Sequence, residues 1–306
     1  FRSHLGTHLL ASAGGKKALD EETLAMKQPV LFGKPEADYF VGLIKEAAQT
    51  NDEKSAKEWL DDTLKKSKAN FKAMLRQAGI DEPAAGFEGA LFGRFVTSDI
   101  LTRVDAPVHV AHAFTTHALD TEVDYFTVVD DLAEDETGAA HANEMELGGG
   151  VYYGYVAVDI PLLISNLTGC APEEWKSQDK QDAHKLLDLL IHATAQVTPV
   201  AKLGATAPYA RAECVVIEVG EAQPRSLANA FLKPISNKKN TDETIMAQSI
   251  RAMGDYLTGL EAMYGPDNGK ILVATTPQNT WPRSEEIVSL QKAIDESLTI
   301  ALGELV

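Results

Sequence analysis

Ala111–Ile160, AHAFTTHALDTEVDYFTVVDDLAEDETGAAHANEMELGGGVYYGYVAVDI, decides how the rest of this 306-residue chain is read. It carries His112 and His117, with His109 just before it. The Asp130–Asp131 pair follows, and then a glycine-led aromatic run, Val151–Val158. A metal site, an acid–base site and a nucleic-acid platform compete for this stretch.

Asp105 as N-cap and Pro107 in the first turn predict a helix over Asp105–His117. On that helix His109 and His112 lie on neighbouring faces. His117 lies about 140° around from His112, at ~100° per residue. The three do not converge on one ion, and neither an HExxH nor a paired-cysteine motif is present. They read as packing or capping groups, as does His141. Asp130 and Asp131 close the expected strand Tyr125–Val129, where a catalytic carboxylate is often found. Glu144 and Glu146 would complete a divalent-metal cluster. Adjacent strand residues point to opposite faces, however, so at most one aspartate enters a given site. Turn or capping duty is the plainer reading. A metal-dependent hydrolase using Asp130 or Asp131 with the nearby histidines stays the rival. GxSxG, P-loop and GxGxxG patterns are absent, and neither cysteine has a catalytic partner nearby.

The aromatic run is expected within one strand, Val151–Asp159. Against the RNA-recognition pattern K/R-G-F/Y-G/A-F/Y-V-x-F/Y, Tyr153, Gly154, Tyr155 and Val156 match, while Val151, Tyr152 and Val158 do not. Tyr152 and Tyr153 are therefore candidates to stack on RNA bases. The competing reading is that alternating tyrosines are core.

Working outward, Pro35 opens a helix through PEADYFVGLIKEAAQ, and a second runs from about Lys54 to Ala78. Pro83–Gly93 reads as a loop. Pro161 starts a short helix closed by Gly169, and Pro172 opens another that continues to about Ala193. Thr194–Tyr209, TAQVTPVAKLGATAPY, is small and nearly uncharged; a protruding β-ribbon turning at Gly204 is expected. Glu213–Val219 reads as a buried strand, Thr241–Tyr264 as a long helix, Ile271–Thr275 as the last strand, and Ser284 as cap of the terminal helix. These elements suit a ferredoxin-like sheet with inserted helices, an architecture used for single-stranded RNA.

A net charge of −17 excludes a generically basic nucleic-acid binder. The charge is uneven, though. Phe1–Leu19, Leu189–Ala212 and Ala222–Thr241 hold no acid and nine of the 28 Lys and Arg. Brought together, they would make a basic track on an acidic body. A hydrophobic content of 44% allows an ordinary core. No apolar run nears the roughly 20 residues of a membrane span, and no membrane partner is expected. No signal-peptide pattern is read. Two cysteines make no disulfide framework and point to the cytoplasm. The chain begins at Phe1 rather than Met, so its natural start is expected upstream.

The run AHAFTTHALDTEVDYFTVVDDL with GGGVYYGYVAVDI resembles the backbone subunit of the type I-E CRISPR surveillance complex (Cascade), the CasC family. FRSHLG, ALFGRF (Ala90–Phe95), VTPVAKLGATAPYA and PRSLANAF (Pro224–Phe231) are similar too, in the same order. The resemblance implies an α/β (α+β) chain with a ferredoxin-like, RRM-like palm, a helical finger insertion and a β-hairpin thumb. Carried over, residues 1–34 start the palm, 35–110 are the finger, 111–193 palm, 194–212 thumb, and 213–306 palm with C-terminal helices. It further implies a non-catalytic subunit with no cofactor and no metal. Copies would polymerise as a helical filament along crRNA and present it for pairing with target DNA, beside other Cascade subunits. Arg2, Lys202, Arg211 and Arg225, with Tyr152 and Tyr153, become the expected RNA contacts, and Val200, Leu203, Gly204 and Thr206 the thumb. Relatives begin with a further segment supplying the first palm strand. A stand-alone RNA-binding module that does not polymerise is the second alternative.

Overall fold

The computed structural model of the chain describes residues 5–9, 31, 33–50, 52–67, 86–95, 103–118, 121–129, 139–198, 207–236, 243–266 and 269–303. After a helical segment at 5–9, the described elements begin with α1 (Lys34–Ala47), α2 (Glu53–Ser67) and α3 (Gly86–Phe92). Next come β1 (Val108–Val110), β2 (Phe114–Thr115), β3 (Thr121–Val129), β4 (Ala139–Gly148), β5 (Tyr152–Tyr153) and β6 (Val156–Val158). The remainder is α4 (Ile160–Thr168), a 3-10 turn (Pro172–Ser177), α5 (Gln181–Gln196), β7 (Cys214–Val219), a second 3-10 turn (Ala228–Phe231), α6 (Ile245–Tyr264), β8 (Lys270–Thr275) and α7 (Leu290–Leu302). This is an α+β fold. Its described strands form four antiparallel two-stranded ladders: β1 with β6, β2 with β5, β3 with β4, and β7 with β8.

The chain divides into two compact units. One comprises Phe1–Val110, Val156–Leu189 and Leu302–Val306; the other comprises Ala111–Tyr155 and Leu190–Ala301. In the first, Leu5 and Leu9 pack with Phe40, Leu43 and Ala47 of α1 and Ala56 and Leu60 of α2. These helical residues recur at three- and four-residue spacing, so each helix turns one apolar stripe inward. Pro35 sits in the first turn of α1, where its missing N–H costs nothing. Glu36 lies in the same turn and is fully buried. Its carboxylate accepts from Arg94 twice, at 2.5 and 2.8 Å, and from the Gly33 N–H at 3.3 Å. Arg94 also donates to the Leu31 carbonyl. The ALFGRF block thus supplies a buried ion pair. Its Gly93, at φ +73°, lies where a Cβ would meet the Val104 carbonyl at 2.8 Å.

In the second unit, the pleat of β8 sends Val273 and Ile271 to one side and Leu272 and Ala274 to the other. The first pair packs with Ile250 and Leu257 of α6, the second with Ala293 of α7. Helices therefore cover both faces of β7–β8.

Several expected elements hold. α4 starts where Asp159 accepts from the Leu162 N–H at 2.9 Å and ends at Gly169 in the left-handed region, φ 71°. Asp159→Ala is expected to cost about 1 kcal/mol of stability, read as a lower urea midpoint at unchanged slope. α6 begins at Thr244, whose hydroxyl accepts from the Ala247 N–H.

Others are corrected. Asp105–His117 is not a helix with Asp105 as its cap: β1 and β2 occupy it, because Val108–Val110 pairs with Val156–Val158 and Phe114–Thr115 with Tyr152–Tyr153. Cross-strand pairing overrides a helical pattern drawn from capping signals alone. The strand expected over Val151–Asp159 breaks at Gly154–Tyr155 into β5 and β6, which take different partners. The stretch Pro172–Ala193 splits into a 3-10 turn and α5. Gly86–Phe92 is helical, not loop. Thr194–Gln196 belongs to α5 rather than to a ribbon. The terminal helix opens after Ser289, whose hydroxyl accepts from the Lys292 N–H, so Ser284 does not cap it. β7 is half-buried rather than buried, with Glu218 exposed.

Candidate nucleic-acid interface

The expected RNA contacts separate once side chains are placed. Tyr152 and Tyr153 are neighbours on β5 and so face opposite ways. Tyr153 is 9% exposed and sits in the second unit's core. Its ring lies 5.5 Å from both Phe114 and Phe231, and its hydroxyl accepts from the Leu227 N–H at 2.9 Å. It is a structural aromatic, and its candidacy for base stacking is withdrawn. Tyr152 is 61% exposed and available. Arg211 is exposed just before β7. Arg225 is engaged by carboxylates: it donates to Glu218 Oε1 at 2.5 and 2.9 Å, to Glu218 Oε2 at 3.1 Å and to Glu261 at 3.4 Å. Its charge is therefore largely spent inside the protein, which weakens it as a phosphate contact.

Glu261 also accepts from Arg283, which donates in turn to Glu285 at 2.8 Å. Burial pushes the Glu285 carboxyl up, but hydrogen bonds from Arg283 and Trp281 outweigh it and hold the group below the usual carboxylate range. This network ties β7, α6 and the loop before α7 together, and it is structural chemistry. Arg2, Lys202, Val200, Leu203, Gly204 and Thr206 lie outside the described residues. The ends of their segment are tied, however: the Thr198 hydroxyl donates to the Ala210 carbonyl, and the Ala212 N–H to the Ala195 carbonyl.

The rival chemistry gains no geometry. Asp130 and Asp131 lie outside the described residues. Among the described residues, no three His, Cys, Asp or Glu side chains are grouped to hold a metal ion. His109 and His112 are exposed, and the His117 ring bonds the Ala118 carbonyl and the Val151 N–H. Burial pushes the Cys214 thiol up to about 11, so it carries no thiolate nucleophile at neutral pH. Among the described residues, no helix is long and apolar enough to cross a membrane.

Two features escaped the sequence reading. The first is the β3–β4 hairpin. Its register sets Val123 opposite Glu146 and Tyr125 opposite Glu144 on one face, and Asp124 opposite Met145 and Phe126 opposite Asn143 on the other. Glu122–Thr127 is exposed on both faces, with Val123 at 64% and Tyr125 at 65%. The strands hold four acids, Glu122, Asp124, Glu144 and Glu146, and no Lys or Arg. β3 carried a strand signal in TEVDYFTVV; β4, AAHANEMELG, has no β-branched residue, so only its partner reveals it. The second feature is Phe95, which is 66% exposed with the Arg103 guanidinium 4.5 Å from its ring centroid. Its backbone follows Arg94, whose N–H and carbonyl pair with Val104 at 2.8 and 3.1 Å. The guanidinium lies over the ring in a cation–π contact, and the ring is otherwise exposed. A lone Phe after Arg94 gives no such signal in one dimension.

The family of CT1975-like proteins matches residues 3–299. The chain belongs to that family. Among solved structures, it is similar to a chain of a CRISPR RNA-guided surveillance complex in a pre-nicking state. The identity there is 23%, the TM-score 0.70, and the match covers 98% of this chain and 78% of the other. A chain of a second CRISPR RNA-guided surveillance complex is 28% identical with a TM-score of 0.58, over 75% of this chain and 80% of that one. The likeness to the first is one of fold. No curated protein matches.

Proposed function

We propose that this CT1975-like protein is a non-catalytic, guide-RNA-binding backbone subunit of a type I-E CRISPR surveillance complex. Copies line up along the crRNA spacer and present it for pairing with target DNA. The observation that carries the reading is the 28% identity, over three quarters of the chain, to a chain of a CRISPR RNA-guided surveillance complex. The RRM-like palm, the helical finger and the cytoplasmic setting belong to the same proposal. Family membership and the exposed aromatics Phe95 and Tyr152 support it.

The mechanism is positional. Phosphate contacts hold the guide without reading sequence, and specificity is left to base pairing. Many modest contacts along one RNA give avidity, so the subunit need not be strongly basic. The thumb stays within residues 194–212, whose ends are tied by the Thr198–Ala210 and Ala195–Ala212 hydrogen bonds, and β3–β4 is a separate hairpin. An isolated two-stranded hairpin is marginal in water, so one exposed on both faces is built to be covered in an assembly. The acids on its strands repel phosphate, so the described strands contact protein rather than RNA.

The test is co-expression with a guide transcript, followed by sizing and extraction of bound RNA. A large assembly holding RNA of fixed length is expected. Phe95→Ala should weaken assembly roughly tenfold, the worth of one base–aromatic stack. A monomer free of RNA under those conditions overturns the proposal.

A further inference from the structure

We propose that His117 is the positioning residue of the β3–β4 hairpin: its neutral imidazole clasps the chain where it leaves the hairpin, and a proton on Nε2 opens the clasp. His117 stands just before β3, and Val151 follows just after β4. The His117 Nδ1–H donates to the Ala118 carbonyl at 2.7 Å, and Nε2 accepts from the Val151 N–H at 3.2 Å. One tautomer alone satisfies both bonds, the neutral ring with its hydrogen on Nδ1. The Val151 carbonyl accepts from the Thr116 N–H at 2.9 Å. Residues 116 and 117 thus hold both polar groups of the exit residue. They are anchored in turn, since the Ile235 N–H donates to the Thr116 carbonyl and the buried Ser249 hydroxyl donates to the Thr116 hydroxyl. Gly150 makes the close approach possible, because a Cβ there would lie 2.7 Å from His117 Nε2.

The groups beside the ring are neutral, Gly150 and the Val151 N–H, and the main chain of residue 117 is bridged to Ile235. Among the described residues, the charges on those elements and on the hairpin are Lys233 before Ile235 and Glu122, Asp124, Glu144 and Glu146, all exposed and none bonded to the ring. A proton on Nε2 converts the acceptor into a donor and sets N–H against N–H at Val151. A ring carrying hydrogen on both nitrogens therefore cannot hold the clasp. Opening it frees the root of the hairpin and with it the hairpin's direction.

The consequence for assembly rests on the proposed role of the hairpin; the clasp itself does not. Hydrogen exchange at the Val151 amide of the free full-length chain tests it, corrected for intrinsic rates. Protection is expected to fall at least roughly tenfold from about pH 7.5 to about pH 5. His117→Gln keeps one acceptor and one donor without titrating, and should protect Val151 equally at both pH values. Equal protection in the wild type, or a fall in His117→Gln as large as in the wild type, overturns the clasp. Nitrogen NMR of the wild-type ring near neutral pH gives an independent readout: hydrogen on Nδ1 supports it and hydrogen on Nε2 overturns it. Because no RNA is present, failure here leaves the RNA-binding reading standing, and failure of RNA assembly leaves the exchange result standing.

Discussion

Arg94→Met is expected to destabilise the first unit by about 3–5 kcal/mol, measured as a fall in the urea midpoint of its unfolding transition. The Glu36 carboxylate is wholly buried, and its described partners are Arg94 and the Gly33 N–H. Removing the guanidinium leaves a charge that cannot return to water without unpacking α1 from its neighbours. The Leu31 carbonyl loses a donor as well. Methionine fills much of the volume, so the loss reports charge rather than a cavity. The double change Glu36→Met with Arg94→Met should recover much of it, since a well-packed apolar pair replaces a buried ion pair at little net cost. A single-variant loss below about 1 kcal/mol would mean that the pair is solvated and that its geometry is not the lock described here. There is a functional corollary. Arg94 is paired through its backbone with Val104, and Arg103 stacks on Phe95. The lock therefore fixes both halves of this cation–π pair, and Arg94→Met should weaken guide-dependent assembly even where the chain stays folded.

The contrast between Glu36–Arg94 and the helix signals shows what a one-dimensional reading reaches. Pro35, Asp159 with Pro161, Gly169 and Gly265 are local devices, and each acts within one turn of where it stands. α1, α4 and α6 were legible for that reason. Glu36 and Arg94 lie 58 residues apart, and nothing near either one announces the other. The same limit misassigned Asp105–His117. Its Asp and Pro are real turn signals, but its conformation is set by residues 37 to 50 positions later, through pairing with Val156–Val158 and Tyr152–Tyr153. Charge suffers likewise. Arg225 lies in an acid-free stretch of sequence, yet its carboxylates come from β7 and α6. An acid-free segment is not an acid-free neighbourhood. By contrast, the blocks that pointed to a CRISPR surveillance-complex protein are spread in order over nearly the whole chain, so that coarser reading does not depend on any one element.

The sharpest separation between site and scaffold is expected at the adjacent tyrosines. Tyr153→Ala should cost about 3–5 kcal/mol, because it removes a ring packed against Phe114 and Phe231 and leaves a cavity in the core. It also strips the Leu227 N–H of its acceptor. Tyr153→Phe isolates that second loss: the ring stays, the buried N–H goes unpaired, and about 1–3 kcal/mol should disappear. Tyr152→Ala, one residue away on the solvent face, should change stability by no more than about 0.5 kcal/mol. Guide binding should rank the two the other way. If Tyr152 stacks on a base, its loss costs roughly 1–3 kcal/mol of binding, while Tyr153→Phe binds as the wild type does once its folded fraction is allowed for. Urea unfolding beside guide-dependent sizing of the three variants gives both rankings. Equal stability losses at the two positions would mean that β5 does not face the core as described. Unchanged guide binding in Tyr152→Ala would remove this residue from the interface and leave Phe95 and Arg211 as its described candidates. The pleat of a two-residue strand thus assigns opposite duties to two identical side chains, and the RNA-recognition pattern that pointed to them matched the one that packs the core.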